Sequence, residues 1–290
     1  MSEETQRWTV GDTTVTAIVE AETVGIPVQF FYPEATADDV RRVDWLGDVP
    51  GTATPDGAIS FRVQAFVVER AGRTVLVDPC VGNGKRRGLP FWNDLSLPWL
   101  ERFTAAGFAA EQIDLVVHTH LHEDHIGWDT HLVDGEWVPT FKNARHVYVA
   151  EELEYAALDI RRERDDPYAD SIEPILHAGL ADVVAADADL GHGLRLLPTP
   201  GHTPGHTSLI VDSGDDGFVV SGDLLHHPFQ LNDPSIAEAA DWDNGMAART
   251  RSDFFDHCAR TGCLVGGTHF PVAPLGRIET HGGAWRFRAV

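Results

Sequence analysis

The chain has 290 residues, of which 43% are hydrophobic, so it is long enough to bury a large core. Its net charge of −23 argues against nucleic acid or an anionic membrane as a partner, because phosphate groups are bound mainly by lysine and arginine. No apolar run reaches the roughly 18 to 20 residues of a membrane span, the acidic N-terminus lacks the apolar core of a signal peptide, and the cysteines have no framework spacing, so we expect a cytoplasmic protein.

The chain begins with an alternating segment, residues 8–19, that predicts a β-hairpin with its turn at Gly11-Asp12. Residues 21–60 show no clean period apart from a short helical pattern over 38–45, and long irregular segments of this kind often cover functional sites. We predict that Phe30 and Phe31, followed by Tyr32, form an apolar wall of a substrate pocket. Packing in the core or against a second copy of the chain is an equal alternative.

Two strands are predicted next, over 61–69 and 74–77, and the second runs directly into Asp78. A carboxylate at the end of a buried strand needs polar partners. Because metal-bound histidines usually donate their second ring N–H to a carboxylate, Asp78 is a candidate for that supporting role. An Asx turn before Pro79 is the alternative.

A basic cluster, Lys85-Arg86-Arg87, stands out in this acidic chain. It could attract an anionic substrate, but a solvated loop is the preferred interpretation. Trp92 follows closely and is a further candidate for the substrate pocket, and residues 99–106 have the pattern of an amphipathic helix.

The densest chemical signal is the stretch from His118 to His125, with four imidazoles and two carboxylates in eight residues after an apolar strand pattern. His120 and His122 are two apart, so on an extended segment they point the same way. Asp124 and His125 follow where the chain turns and can face a second point nearby. The spacing therefore predicts two adjacent metal ions, and imidazole ligands favour zinc, iron or nickel over calcium or magnesium.

Downstream of this stretch the sequence alternates between strand and helix patterns. Strands are predicted over 137–141, 146–149, 183–189, 194–197, 209–212, 217–221 and 264–267, and helices over 150–158, 172–178 and 237–258. Two strand-rich halves, each followed by helices, predict an α/β fold, a four-layer αββα sandwich. Because we find no linker, we predict one domain over 1–290, with 21–60 as an active-site cover or dimer segment.

The motif His120-Leu-His-Glu-Asp-His125 resembles the HxHxDH motif of the metallo-β-lactamase superfamily, and the predicted sandwich is the fold of that family. Further elements are similar in the family's order: Gly201-His202, Gly222-Asp223 and Gly267-Thr-His269. The resemblance implies that His202 completes the first metal site, that Asp223 bridges the two metals and that His269 completes the second. It also implies a supporting role for Asp78, and we expect His118 to support the ligands in the same way. His206 is expected to hold its loop without binding metal.

The resemblance implies a hydrolase that uses two zinc ions and acts on a small molecule. Iron, manganese and cobalt are the alternative metals. A hydroxide bridging the metals would attack a lactone or aryl ester carbonyl. Asp124, Asp223 and His226 are the predicted catalytic residues, with His226 orienting the carbonyl or protonating the leaving oxygen.

The substrate class depends on the residue three positions after Asp223. Acyl-homoserine lactonases lead one to expect a tyrosine there, whereas this chain has His226 and is more similar to the branch containing methyl parathion hydrolase and aryl lactonases. Phosphotriester hydrolysis is the first alternative, and an acyl-homoserine lactonase, a glyoxalase II-type thioesterase using Arg286 and Arg288, and a di-iron redox module stay open. A β-lactamase would carry an export signal.

Overall fold

A computed structural model describes residues 4–158, 166–213 and 217–290. The described residues form sixteen strands, in chain order: β1 Thr5–Val10, β2 Thr13–Ile26, β3 Ile59–Arg70, β4 Arg73–Val77, β5 Leu115–Val117, β6 Thr130–Val133, β7 Glu136–Pro139, β8 Arg145–Val149, β9 Ala181–Val184, β10 Asp189–Gly191, β11 Leu194–Pro198, β12 Thr207–Val211, β13 Phe218–Val220, β14 Leu264–Gly266, β15 Leu275–His281 and β16 Ala284–Ala289. They also form five α-helices: α1 Ala37–Arg42, α2 Trp99–Ala105, α3 Ala150–Leu158, α4 Glu173–His177 and α5 Asn244–Thr261.

The chain divides into two compact units, residues 1–21 with 63–186 and residues 22–62 with 187–290. The first unit is built on a seven-stranded sheet in the order β1-β2-β3-β4-β5-β8-β9. Its hairpin β1–β2 pairs Val10 with Thr13 around the predicted Gly11-Asp12 turn. Strands β4, β5, β8 and β9 run parallel, so their carboxyl ends lie at one edge of the sheet.

The second unit is built on a seven-stranded sheet in which β10 to β16 are neighbours in chain order. Strands β13 and β14 are parallel, pairing Phe218 with Leu264 and Val220 with Gly266, and the remaining neighbours are antiparallel. Because β11 runs in the same direction as β13, the chain leaves β11, β13 and β14 at the same edge. The segments after these three strands contain His202, Asp223 and His269.

The predicted elements mostly coincide with the observed ones, with two kinds of correction. Residues 237–243 are not helical, because α5 begins only after Asp243, whose carboxylate accepts a hydrogen bond from the Met246 N–H and caps the helix. Strands β6, β15 and β16 were not predicted. The turn of the predicted hairpin over 209–221 includes residues 214–216, which lie outside the described residues.

The basic cluster is not a solvated loop, which corrects the preferred interpretation of the sequence. Only Arg86 is exposed, whereas Lys85 and Arg87 are buried. Lys85 Nζ lies 3.2 Å from Asp170 Oδ1 and donates to Thr130 Oγ1 at 2.8 Å, and Arg87 Nη1 lies 2.7 Å from Asp170 Oδ2. Burial lowers the pKa of Lys85 to about 8. Both cations are buried and share the Asp170 carboxylate, so neither side chain extends into solvent as the predicted loop would require.

Two expectations from composition concern membranes and thiols. Within the described ranges, no helix has the length and hydropathy that would be needed to cross a membrane. Cys80, Cys258 and Cys263 are buried free thiols, in keeping with their lack of a disulfide framework spacing. The single-domain prediction and the role of 21–60 stay predictions.

Candidate metal centre

In the first unit, the carboxyl edge of the parallel strands carries the predicted metal loop. Asp78 follows β4 directly, and His118 follows β5 directly. This is the edge at which α/β sheets usually place ligand-binding side chains, because loops leaving a rigid sheet converge there. His120 and Asp124 are buried, and His122 is partly exposed.

Asp78 holds the metal loop through two of its residues. Its backbone has a φ of 52°, in the left-handed region that non-glycine residues seldom adopt. Its carboxylate accepts hydrogen bonds from the Thr119 N–H and hydroxyl, both at 2.8 Å, and its Oδ2 lies 3.0 Å from His125 Nδ1. Asp78 thus holds Thr119 by two hydrogen bonds and lies beside His125, and its supporting role towards a metal ligand stays a prediction.

These contacts show which ring nitrogen His120 presents. Thr119 Oγ1 donates to Asp78 and lies 3.2 Å from His120 Nδ1, so that Nδ1 is the donor and His120 presents Nε2. The ring centroids of His120 and His125 are 4.1 Å apart, and those of His120 and His122 are 4.6 Å apart. His125 Nε2 faces Asp124 Oδ2 at 3.6 Å.

The apolar residues of the motif anchor the loop. Leu121 and Ile126 pack in a cluster with Tyr148, Ile172 and Ile175. Beyond them, Gly127 donates its N–H to the Cys80 carbonyl at 2.6 Å. A Cβ at Gly127 would lie 1.7 Å from the Val81 carbonyl oxygen, so only glycine allows the metal loop to pack on the segment after Asp78.

A buried glutamate, Glu20, ties these two segments together. Its carboxylate accepts the Val81 N–H at 2.9 Å, the Gly82 N–H at 3.0 Å and the Trp128 indole N–H at 2.6 Å. Burial raises the pKa of Glu20 to about 7, and the three donors act in the opposite direction. This role could not be predicted from the sequence, because Glu20 is one polar residue directly after the predicted hairpin.

His118 belongs to a separate buried network. Its Nδ1 donates to the Val147 carbonyl at 3.0 Å, and its Nε2 lies 2.9 Å from Asp129 Oδ2. His146 and Tyr148 also hydrogen-bond to the Asp129 carboxylate. Burial by itself lowers the pKa of His118, but the Asp129 carboxylate holds it above its ordinary value. The hydrogen bonds of His118 thus go to Asp129 and Val147, whereas we had expected them to support the ligands.

In the second unit, a tight turn presents His202. Gly201 has a φ of 139°, and a Cβ there would lie 2.4 Å from Ala247 Cα, so the turn packs closely on α5. His206 behaves as predicted: its Nδ1 lies 2.9 Å from Thr199 Oγ1, and its Nε2 accepts the Asp223 N–H at 3.0 Å. Both ring nitrogens of His206 are therefore used to hold the loop.

Asp223 is the centre of a cluster of three imidazoles. Its Oδ2 lies 3.5 Å from His202 Nε2 and 3.0 Å from His226 Nε2, and its Oδ1 lies 3.1 Å from His269 Nε2. All four side chains are buried. Such a set of nitrogen and carboxylate oxygen donors is typical of a zinc site.

The partners of the outer ring nitrogens show that this cluster suits a cation. His269 Nδ1 lies 2.7 Å from the Arg62 carbonyl oxygen, and His202 Nδ1 lies 3.2 Å from Asp241 Oδ1. Both acceptors require an Nδ1–H donor, so each ring turns its Nε2 towards the Asp223 carboxylate. Nε2 is then the nitrogen of each ring that could bind a metal ion beside this carboxylate. The residues therefore fit a bound metal ion.

His226 differs from the other histidines of this cluster. Among the described residues, no hydrogen-bond partner is found for its Nδ1. Its backbone N–H donates to Gln230 Oε1 at 2.8 Å, and the same oxygen accepts the Tyr32 hydroxyl at 3.1 Å. The ring is 6.5 Å from that of Phe31. Because Nε2 faces Asp223, Nδ1 is the nitrogen that His226 can offer to another molecule.

The aromatic residues predicted to line the pocket have different environments. Phe30 is 43% exposed and Phe31 is 8% exposed. Ring contacts run from Phe30 to Phe31 at 5.0 Å, from Phe31 to Phe61 at 4.7 Å and from Phe61 to His269 at 4.3 Å. Tyr32 is buried, and Trp92, in the first unit, is 8% exposed and packs edge-on against Phe91. Within the second unit, an aromatic path therefore leads from the surface to a predicted ligand.

The arginines proposed for a glutathione site do not support one. Arg286 Nη2 donates to Glu279 Oε2 at 2.9 Å, and Arg288 Nε donates to Glu279 Oε1 at 2.5 Å. One glutamate thus binds both arginines and offsets half of the positive charge that the thioesterase alternative needs.

Comparison with known proteins gives consistent results. Residues 60–264 match the model of the Metallo-beta-lactamase superfamily. The chain is 26% identical over 184 residues to an N-acyl homoserine lactonase of Bacillus cereus, covering 59% of this chain and 67% of that one. It is 29% identical over 188 residues to a probable metallo-hydrolase of Mycobacterium tuberculosis, covering 58% of both chains.

Two solved structures are similar over nearly the whole chain. The hydrolase AbOPH of the β-lactamase superfamily has a TM-score of 0.83 at 22% identity, covering 100% of this chain and 98% of that one. AidC, a dizinc quorum-quenching lactonase in complex with a product, has a TM-score of 0.80 at 19% identity, covering 99% and 97%. The fold class predicted from the sequence is confirmed by the family match and by these structures.

Proposed function

Because the chain belongs to the metallo-β-lactamase superfamily and is a metal-dependent hydrolase, we propose that it uses two zinc ions to hydrolyse lactones or aryl esters. The observation that carries the proposal is the arrangement of His202 and His269, whose Nδ1 atoms are held by acceptors while their Nε2 atoms face Asp223. We assign the metal ligands to the seven residues predicted from the sequence: His120, His122, Asp124, His125, His202, Asp223 and His269. Zinc bound there would supply an activated water and polarise the substrate carbonyl.

The chain's own residues supply orientation and proton transfer. Three acceptors hold Nδ1 of His120, His202 and His269: Thr119, Asp241 and the Arg62 carbonyl, respectively. These contacts fix the ring orientations before a substrate arrives. His226 Nδ1 is the proposed partner of the substrate. A neutral imidazole that donates through Nε2 to Asp223 can take up at Nδ1 the proton that is released when water adds to the carbonyl, and the ring can then give this proton to the leaving oxygen.

The substrate class follows from the surroundings of this cluster. In the same unit, Phe30, Phe31 and Phe61 offer an apolar wall that reaches His269. An uncharged ester with an apolar substituent suits this environment better than an anionic substrate. The curated relatives include N-acyl homoserine lactonases, which supports a lactone, with N-acyl homoserine lactones as one member of the class. Phosphotriester hydrolysis is proposed as a side activity, and a cytoplasmic location stays a prediction.

Metal analysis together with a substrate panel tests the proposal. We expect close to two zinc ions per purified chain and turnover of lactones or aryl esters above phosphotriesters, thioesters and β-lactams. Asp223→Asn should lower both metal content and rate, because an amide bridges two cations poorly. We expect the rate to fall by more than about 100-fold, since the loss of a residue that only supports a ligand already lowers metal affinity or activity by up to about that factor. The matched control is Asp253→Asn on exposed α5 surface, which should change neither.

Two results would contradict the proposal. One tightly bound metal with full activity in the wild type would refute the binuclear site. Zinc-loaded enzyme that hydrolyses no lactone and no aryl ester would refute the substrate class.

A further inference from the structure

Helix α5 places an arginine where its pattern calls for an apolar residue. The buried side chains of α5 are Ala247, Arg251, Phe254, Phe255 and Cys258, a stripe with the spacing of one helix face. The Arg251 side chain is 0% exposed. A guanidinium cannot lose its charge in a protein, so its burial is costly unless every face of it meets an acceptor.

Two of the acceptors of Arg251 connect it to predicted zinc ligands. Its Nε donates to the Leu224 carbonyl at 2.8 Å, and Leu224 is the residue directly after Asp223. Its Nη2 donates to Asp241 Oδ2, and the other oxygen of Asp241 accepts the His202 Nδ1–H at 3.2 Å. Its Nη1 donates to the Ile236 carbonyl at 3.0 Å.

The Asp241 carboxylate is held firmly between these groups. Besides Arg251, it accepts the Glu238 N–H at 3.0 Å. The backbone next to it is tied to the same loop, because the Trp242 N–H donates to the His202 carbonyl at 3.0 Å and the Asp243 N–H to the Gly201 carbonyl at 3.0 Å. Burial by itself would raise the pKa of Asp241. The contacts of its carboxylate with His202 and Arg251 have the larger combined effect and lower this pKa to about 2. Asp241, paired with Arg251, is therefore a carboxylate that accepts a hydrogen bond from His202 Nδ1–H.

We propose that Arg251 is a positioning residue that holds two predicted metal ligands in a fixed geometry. It acts on His202 through Asp241 and on Asp223 through the Leu224 carbonyl. This inference rests on the proposed function, since it assigns Arg251 a role towards the zinc ligands. One planar guanidinium contacts both segments through different N–H groups. A lysine has only one nitrogen and cannot span both acceptors in the same geometry.

The first experiment measures zinc affinity and ligand geometry in variants of the whole protein. Arg251→Met and Asp241→Asn should each weaken the apparent zinc Kd by about 10- to 100-fold, the usual effect of removing a residue that orients a ligand. Arg251→Lys should lie between the wild type and Arg251→Met. The absorption spectrum of the cobalt-substituted protein should shift in all three variants, because the His202 ring is less constrained. Arg249→Met, on the exposed face of the same helix, is the matched control and should leave both readouts unchanged.

A double variant separates a positioning role from general stability. If Arg251 acts through Asp241, the effects of the two substitutions should not add. The double variant, Asp241→Asn with Arg251→Met, should then have a zinc Kd at most about threefold above that of the single variant with the higher Kd. The inference would be overturned if Arg251→Met and Asp241→Asn bind zinc within twofold of the wild-type affinity and have an unchanged cobalt spectrum. This holds even if the metal-free variants unfold at lower temperature. If Arg251→Met does not fold, Arg251→Lys and Asp241→Asn decide by the same criteria. A wild type that binds no zinc would instead refute the proposed function, and this inference with it.

Discussion

At the scale of single residues, proton positions distinguish histidines of the same cluster. Nε2 faces Asp223 in all three histidines, so the difference lies in Nδ1. An acceptor holds Nδ1 of His202 and His269, whereas no hydrogen-bond partner among the described residues is found for Nδ1 of His226. Spacing in the sequence places all three near Asp223 but cannot show which nitrogen each presents. The assignment of His226 to the substrate and of the other two to metal follows from this difference.

His226→Leu tests the role of the histidine that contacts the substrate. We expect lactone turnover to fall by about 10²- to 10⁴-fold, the usual contribution of a general acid or base, with zinc content unchanged. Phosphotriesters with good leaving groups should be spared, since those groups need no proton. His226→Gln is the matched control: its amide can donate to Asp223 but cannot transfer a proton. If His226→Gln restores lactone turnover, or if His226→Leu loses zinc, then His226 supports Asp223 instead.

His227 gives a prediction for the pH dependence of stability. Its Nε2 donates to the Thr52 carbonyl at 3.0 Å, and its Nδ1 accepts the Phe229 N–H at 3.0 Å, so the buried ring is held neutral. Burial lowers the pKa of His227 from 6.5 to about 4. The unfolded chain therefore binds more protons between pH 6.5 and 4, and the free energy of unfolding falls as the pH falls through that window, by about 3 kcal/mol in total.

His227→Asn should remove this part of the pH dependence, because asparagine can cap Phe229 but does not titrate. Denaturant unfolding of wild type and variant at several pH values between 4 and 7.5 measures the difference. Loss of metal in acid affects both proteins equally and cancels. The exposed His257→Asn is the control and should keep the wild-type slope. Equal slopes for wild type and His227→Asn would contradict the prediction.

At the scale of elements, the close contact between two loops makes Gly127 sensitive to substitution. Gly127→Ala places a Cβ 1.7 Å from the Val81 carbonyl oxygen, and neither backbone can move without disturbing Asp78 or His125. We expect the free energy of unfolding to fall by about 3 kcal/mol or more, with weaker zinc binding, since overpacking at a backbone contact is not relieved by a rotamer change. Gly47→Ala has open space around its Cβ and should stay within about 0.5 kcal/mol of the wild type. A stable Gly127→Ala protein with full zinc content would show that the loops can separate.

The order and type of most elements could be predicted from the sequence because β-branched runs such as Leu115–Val117 have strong periodic signals. The carboxyl ends of parallel strands then bring Asp78 and the metal loop to one edge of their sheet. The interior of the metal loop was also predictable, since no common structural motif needs four histidines in eight residues. Boundaries were less predictable: residues 237–243 have helical composition, but Asp243 caps α5 and starts the helix later.

Residues that act over long sequence separations could not be predicted. Glu20 meets Trp128 across 108 positions, and Lys85 meets Asp170 across 85. Their partners depend on tertiary packing, to which local periodicity gives no access. Arg251 did leave a local signal, a charged residue at a buried position of an amphipathic helix, and such a residue points to buried acceptors.

At the scale of the whole molecule, the excess of negative charge has a cost for folding. The chain has 45 acidic and 22 basic residues, so its carboxylates far outnumber the cations that could offset them. Exposed ion pairs such as Arg42 with Asp39 contribute only about 0 to 1 kcal/mol each, and salt weakens them. Buried pairs such as Arg251 with Asp241 are screened much less. Repulsion among the remaining carboxylates should therefore dominate the response to salt.

We predict that the free energy of unfolding rises by about 1 kcal/mol or more between 0.01 and 0.3 M sodium chloride, because the screening length falls from about 30 Å to below about 10 Å and removes repulsion between distant carboxylates. Denaturation by urea, which is uncharged, measures this without adding salt. A variant that neutralises four exposed carboxylates, Asp48→Asn, Glu136→Gln, Asp253→Asn and Asp256→Asn, should be more stable than the wild type at low salt and should gain less from added salt. A wild type that loses stability as salt is added would show that its surface ion pairs outweigh the repulsion, in which case the four neutral substitutions should destabilise it at low salt.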